Sequence, residues 1–235
     1  MCSVIGAFFD HPSKKQLTLL KNVFIESKIR GMHATGISYI QNNEIITIKK
    51  PIPSDEFFKD VDFEDHFINE DGNLYMIGHC RYSTSDLEYN QPIYNDDISI
   101  VHNGVITQEL PENWKSIYDI VCQTKNDSEF ILKTLEQKKE PLSAWPDTSM
   151  AVCELYSDKK IRFYRNAKRP LTMAVFNNGV IVSSTKDILK RANTVEEDFI
   201  TLDCDMNVIY TIDSQRFQIS NELISTNRKD LQYEL

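Results

Sequence analysis

A succession of short apolar runs, each closed by Asn, Asp, Ser or Gly, limits most tightly what this chain can fold into. Runs of this kind read as strands, here over residues 4–9, 36–41, 44–49, 74–81 and 98–102. Later ones fall at 149–156, 160–165, 171–176 and 180–184, with a last pair near 199–202 and 208–212. Asn42-Asn43, Ser157-Asp158 and Asn177-Asn178-Gly179 suit tight hairpins between neighbours. The spacing therefore predicts sheets that are mainly antiparallel.

Helices are fewer. Ser13 with Gln16 makes a capping box, and Leu17, Leu20, Val23 and Phe24 recur at helical spacing up to Arg30, where Gly31 stops the helix. Asp127 or Ser128 suits the N-cap of a second helix that buries Phe130, Ile131 and Leu135. Residues 186–192 suggest a third. Helices set between blocks of antiparallel strands predict an α+β layered fold instead of a doubly wound parallel sheet. The last stretch, 214–235, is polar and weakly periodic, fitting a short helix, an interface arm or a tail.

Acidic residues outnumber basic ones by 35 to 26, a formal charge of −9, which argues against a general affinity for nucleic acid or anionic membrane. The apolar run after Cys2 is too short for a signal-peptide core and no other run reaches membrane-spanning length, so the expected location is the cytoplasm. The five cysteines (Cys2, Cys80, Cys122, Cys153, Cys204) are widely spaced, which suggests neither a disulfide framework nor a zinc site. No HxH or HExxH spacing and no phosphate-cradling glycine loop occurs, so no metal and no cofactor is expected.

Four stretches place polar groups where a strand ends or a glycine turns the chain: "RGMHATG" (30–36), "GHCRYST" (78–84), "HNG" (102–104) and "NDSE" (126–129). Singly, each has an ordinary explanation. Arg81 fits a solvated surface group, Asn103-Gly104 a turn, Asp127 a helix cap, and His33, His79 and His102 satisfied structural imidazoles. Cys2 fits either a buried strand residue or a nucleophile uncovered by removal of Met1.

Taken in order, with Cys2 in front and the NQP of Asn90, Gln91 and Pro92 between, they resemble the glutaminase domain of class II glutamine amidotransferases. These are N-terminal nucleophile hydrolases, and the closest flavour is the domain of amidophosphoribosyltransferase and glucosamine-6-phosphate synthase. "YRNAKRPL" (164–171) and "VSSTKD" (182–187) are similar to later motifs of that family. The resemblance implies a four-layer αββα fold with two stacked, mainly antiparallel sheets. It also implies a glutaminase domain over residues 1–212, followed by a tail or short helix over 213–235.

The chemistry implied is hydrolysis of L-glutamine through a γ-glutamyl thioester. An α-amine has a pKa of about 7.7–8.0 and a thiol about 8.5, so the amine of a processed Cys2 is matched to deprotonate its own sulfur. By the resemblance, the Asn103 side chain and the Gly104 N–H form the oxyanion hole. Arg81 holds the substrate carboxylate and Asp127 its ammonium. Thr84 and Gln91 line the same pocket, and Arg30 and Gly31 shape the turn beside the nucleophile.

Three departures stand out: His33 where relatives commonly carry an acid, Ser85-Asp86 where a glycine is usual, and Asn166 where an Asp is expected. Larger relatives continue into a phosphoribosyltransferase or sugar-isomerase domain, which the stretch after Ser184 does not provide. A separate synthase subunit is therefore the expected ammonia acceptor, and self-association stays open. Two other functions remain open as well: a catalytically silent glutamine-binding module, and an N-terminal-cysteine amidohydrolase for another amide. Against the latter, an apolar acyl group would leave Arg81 and Asp127 unpaired.

Overall fold

The structure, a computed structural model, describes residues 1–83, 90–213 and 218–224. In chain order the first half holds β1 (Ser3–Asp10), α1 (Lys14–Ser27), β2 (Ala34–Gln41), β3 (Glu44–Lys50), α2 (Ser54–Phe57), α3 (Phe63–Phe67), β4 (Asn73–Arg81), β5 (Ile93–Tyr94) and β6 (Ile98–Val105). Then come α4 (Trp114–Tyr118), α5 (Glu129–Glu136), α6 (Pro141–Ala144), β7 (Ser149–Tyr156), β8 (Lys160–Arg165), β9 (Thr172–Phe176) and β10 (Gly179–Ser183). The chain continues through α7 (Lys186–Ala192), β11 (Ile200–Asp203), β12 (Val208–Asp213) and β13 (Gln218–Leu223).

The strands make two sheets. The first has seven strands in the order β11-β9-β10-β1-β4-β2-β3, the second six in the order β13-β12-β8-β7-β6-β5. Among the described residues, every strand pair is antiparallel. β1 explains the layering: Ile5, Ala7 and Phe9 point to a core shared with α1 and α7, while Val4 and Phe8 point between the sheets. With both faces covered, the strand reads as an unbroken apolar run. The outer face of the second sheet, with Ile100, Val152 and Tyr164, is covered by Phe130 and Ile131 of α5 and Leu142 of α6. The result is the expected α+β arrangement of helix, sheet, sheet and helix.

Local signals set several of these boundaries. Ser13 and Gln16 form the full capping box of α1. Asn42 and Asn43 both adopt positive φ (51° and 61°), the backbone a two-residue hairpin turn demands. α1 gives up its helical ladder at Ser27 instead of running to Arg30: the N–H groups of Lys28 to Gly31 each bond three residues back. That tighter winding turns Arg30 toward β1.

Two expectations fail. β6 runs three residues past its expected end, so Asn103 and Gly104 lie in a strand, opposite Ala151 and Met150, and not in a turn. The segment assigned to a tail or short helix holds β13, which pairs along β12 from Val208↔Leu223 to Asp213↔Gln218. Among the described residues, no helix is long and apolar enough to cross a membrane.

Candidate active site

The two sheets meet at a cleft of about 690 Å3 whose lining includes Cys2, Arg81, Gln91, Gly104 and Asp127. The first sheet brings the chain end. Cys2 leads into β1, which lies between β10 and β4. Its carbonyl accepts from Arg30 Nε at 3.0 Å, and its Sγ lies 3.8 Å from the Tyr82 carbonyl. Burial lowers the Arg30 pKa, Cys2 opposes that shift and Arg169 adds to it. Gly31 is required beside it, because a Cβ there would lie 2.2 Å from the Cys80 carbonyl oxygen.

Arg81 ends β4, and its Nη1 donates to Asn90 Oδ1 at 2.9 Å. His33 stands where an acid was expected and is held by backbone groups. Its N–H donates to the Arg81 carbonyl at 3.0 Å, and its Nδ1 accepts the Ser83 N–H at 2.9 Å. Beside Arg81, His79 is buried, and its Nε2 has no hydrogen-bond partner among the described residues. Burial, with Arg81 and His102 adding to it, pushes the His79 pKa down to about 3. Thr84, Ser85 and Asp86 lie outside the described residues.

The second sheet brings donors. Asn103 is 4% exposed, and its Nδ2 has no partner among the described residues. A buried amide donor left unbonded is costly, and one aimed at a developing charge is what an oxyanion hole requires. For Gly104 the direction follows from pairing. Met150, opposite it, sends its N–H to Asn166 Oδ1 and its carbonyl to the Asn166 N–H, on the β8 side. Gly104 and Met150 are thus a non-hydrogen-bonded pair, and the Gly104 N–H points away from β7. His102, two residues earlier, points the same way and is met by the Gln91 side chain. A Cβ on Gly104 would lie 1.8 Å from the Ser149 carbonyl oxygen.

The structure reassigns two side chains. Asp127 does not cap α5: its Oδ2 accepts the N–H groups of Ile106 at 2.6 Å and Thr107 at 3.2 Å, just beyond β6. Gln91, expected against substrate, lines the cleft, but its carboxamide is committed to His102 and Ser128. Ser128 was read as a helix cap, His102 as a structural imidazole and Asn90 only as part of the NQP motif; here all three hold neighbouring site residues in place.

Asn166 fits its place better than the expected Asp. Its Nδ2 donates to the Thr148 carbonyl at 2.7 Å while Oδ1 accepts from Met150 and Lys168, and a carboxylate has no proton for the first bond. Burial pushes the thiols of Cys80, Cys122 and Cys204 up to about 12, and that of Cys153 well above its ordinary value. Among the described residues, no group of three or more His, Cys, Asp and Glu side chains is placed to hold a metal.

No protein-family model matches the chain. It is 28% identical over 150 residues to an amidophosphoribosyltransferase of Staphylococcus epidermidis, covering 60% of this chain and 28% of that protein. It is 27% identical over 218 residues to the glutamine–fructose-6-phosphate aminotransferase of the same species, covering 84% of this chain and 34% of that one. The chain thus spans about a third of the length of these curated relatives. The glutamine phosphoribosylpyrophosphate amidotransferase of B. subtilis superposes with a TM-score of 0.70 at 16% identity, over 96% of this chain and 50% of that one. A glutamine aminotransferase class-II domain protein of Silicibacter pomeroyi gives 0.52 at 10% identity, over 94% of this chain and 99% of that one.

Two antiparallel sheets between helical layers, with a cysteine leading into a central strand, define an N-terminal nucleophile hydrolase fold. The chain is a distant relative of the class II glutamine amidotransferases and has the fold of their glutaminase domains.

Proposed function

We propose that this domain hydrolyses glutamine to glutamate and ammonia, with Cys2 as nucleophile once Met1 has been removed. The observation that carries the proposal is the convergence of Cys2, Arg81, Asp127 and Gly104 on one cleft, beside the unpartnered Asn103 donor. Met1 is 70% exposed, open to an aminopeptidase.

Arg81 binds the α-carboxylate of glutamine and Asp127 its α-ammonium, which leaves the γ-amide against the sulfur. The free α-amine of Cys2 takes the thiol proton, and the thiolate attacks the amide carbon. Asn103 Nδ2 and the Gly104 N–H stabilise the oxyanion. The ammonium formed on Cys2 returns its proton to the leaving nitrogen, so ammonia departs and a γ-glutamyl thioester remains. The same amine then takes a proton from water, which attacks the thioester and releases glutamate and the thiol. Arg30, bonded to the Cys2 carbonyl, holds the nucleophile in place, and Gly31 makes room for that turn. Ammonia passes to a separate synthase subunit, in a cytoplasmic setting.

Protein whose intact mass confirms a start at Cys2 should release glutamate from glutamine. Protein retaining Met1, or carrying Cys2→Ala, should not. Processed protein that binds glutamine without turnover would be a silent binding module. Equal hydrolysis of simple acyl amides would overturn the roles of Arg81 and Asp127.

A further inference from the structure

Gln91, His102 and Ser128 are buried against the cleft, and no step of glutamine hydrolysis uses their side chains. His102 reaches Ser128 Oγ at 2.8 Å through Nδ1 and the Ser149 carbonyl at 3.1 Å through Nε2. A carbonyl only accepts, so Nε2 carries the proton and Nδ1 is an acceptor for the Ser128 hydroxyl. Ser128 Oγ accepts from Gln91 Nε2 at 3.0 Å, and Nε2 also donates to the His102 carbonyl at 3.0 Å. Gln91 Oε1 accepts the His102 N–H at 2.5 Å. Every donor in this circuit meets an acceptor, for one tautomer and one carboxamide orientation.

The circuit grips the strand that carries the oxyanion donors. Gln91 holds both backbone groups of His102, Ser149 Oγ accepts the Val105 N–H at 3.0 Å, and Asp127 accepts from Ile106 and Thr107. Asn103 and Gly104 are suspended between these clamps. Ser128 follows Asp127 directly, so the same circuit ties the donors to the carboxylate assigned to the substrate ammonium.

We propose that His102, oriented by Ser128 and Gln91, is a positioning residue that sets Asn103 and Gly104 against the thiolate. The proposal rests on the glutaminase reading above. Misplacement by about 1 Å can cost roughly 100-fold in rate, so the circuit matters to the transition state far more than to substrate binding. Among the described residues, the charged and titratable groups facing His102 are Asp127, Arg169 and His79. Burial outweighs the opposing pull of Asp127 and keeps the imidazole neutral, with Arg169 adding to the downward shift.

The test uses full-length protein processed to Cys2. Nitrogen NMR of the histidine rings at neutral pH should show His102 protonated at Nε2 only. Ser128→Ala and Gln91→Glu should each lower kcat about 10- to 100-fold with KM for glutamine nearly unchanged. Ser128→Thr, which keeps the hydroxyl, should recover most of the loss.

The aldehyde analogue of glutamine, which closes on the sulfur as a hemithioacetal, should lose affinity in step with kcat while glutamate binding holds. Wild-type kcat in Ser128→Ala overturns the proposal. So does a proton on Nδ1, or a loss that falls equally on glutamate binding and is not rescued by Thr. Should Ser128→Ala fail to fold, Gln91→Glu and the ring shifts decide. A processed wild type that releases no glutamate sinks the glutaminase reading and this role together. An active wild type with indifferent variants sinks only this role.

Discussion

The two walls of the cleft are built differently. On the first-sheet side, Cys2 is half-buried; among the described residues, Arg30 bonds its carbonyl and its sulfur meets a distant backbone oxygen. On the second-sheet side, His102, Asn103 and Ser128 are buried, and the strand end is clamped at His102, Val105, Ile106 and Thr107. On the function proposed above, Cys2 has to be reached and acylated as nucleophile, whereas an oxyanion hole stabilises charge without reorganising and suits the more firmly held wall.

The largest test of this contrast is Cys2→Ala in processed protein. It should remove glutamate release by about 10^4-fold or more while leaving the thermal midpoint close to wild type. Loss of folding instead would mean that the nucleophile wall is as tightly built as the other. Next, Asn103→Ala should lower kcat by roughly 100- to 1,000-fold with little change in KM. A rise in KM alone would move Asn103 from the transition state to ground-state binding.

Arg81→Lys keeps the charge but loses the planar fork. KM for glutamine should rise about 10- to 100-fold with a smaller effect on kcat, read from initial rates. The last effect is on stability. The folded-state pKa of His79, about 3, lies below the ordinary 6.5, so below about pH 6.5 the unfolded chain takes up a proton that the native state refuses. Stability should be intact above that pH and fall steadily toward pH 3. A series of denaturation midpoints should show a shallower fall in His79→Gln, and an unchanged slope would mean that other groups carry the acid response.

Strands covered on both faces were legible from composition alone, because burial on two sides leaves no polar alternation to confuse the pattern. Residues 149–156 come out at their exact expected bounds, and so do 160–165, where Ile161 and Phe163 alternate with Lys160 and Arg162. The end of β6 was not legible, since Asn-Gly normally turns a chain; here the clamps around it hold the pair extended. Asp127 looks like a cap because its side chain suits one, yet its carboxylate accepts instead from the N–H groups of Ile106 and Thr107. Gln91 lines the cleft with its carboxamide turned to His102 and Ser128, an orientation that a pattern of residue types does not disclose. β13 carries alternate residues too polar to mark it, and only its partner strand β12 discloses it.

The order of strands also bears on how the chain end is processed. β1 is flanked on one side by β10, which the ribosome makes long after it. At about 5–20 residues per second, roughly 10–35 s separate the emergence of the two. Through that interval the first sheet cannot be completed around the amino terminus, so under the proposed function a peptidase working on nascent chains would meet Met1 before the sheet closes.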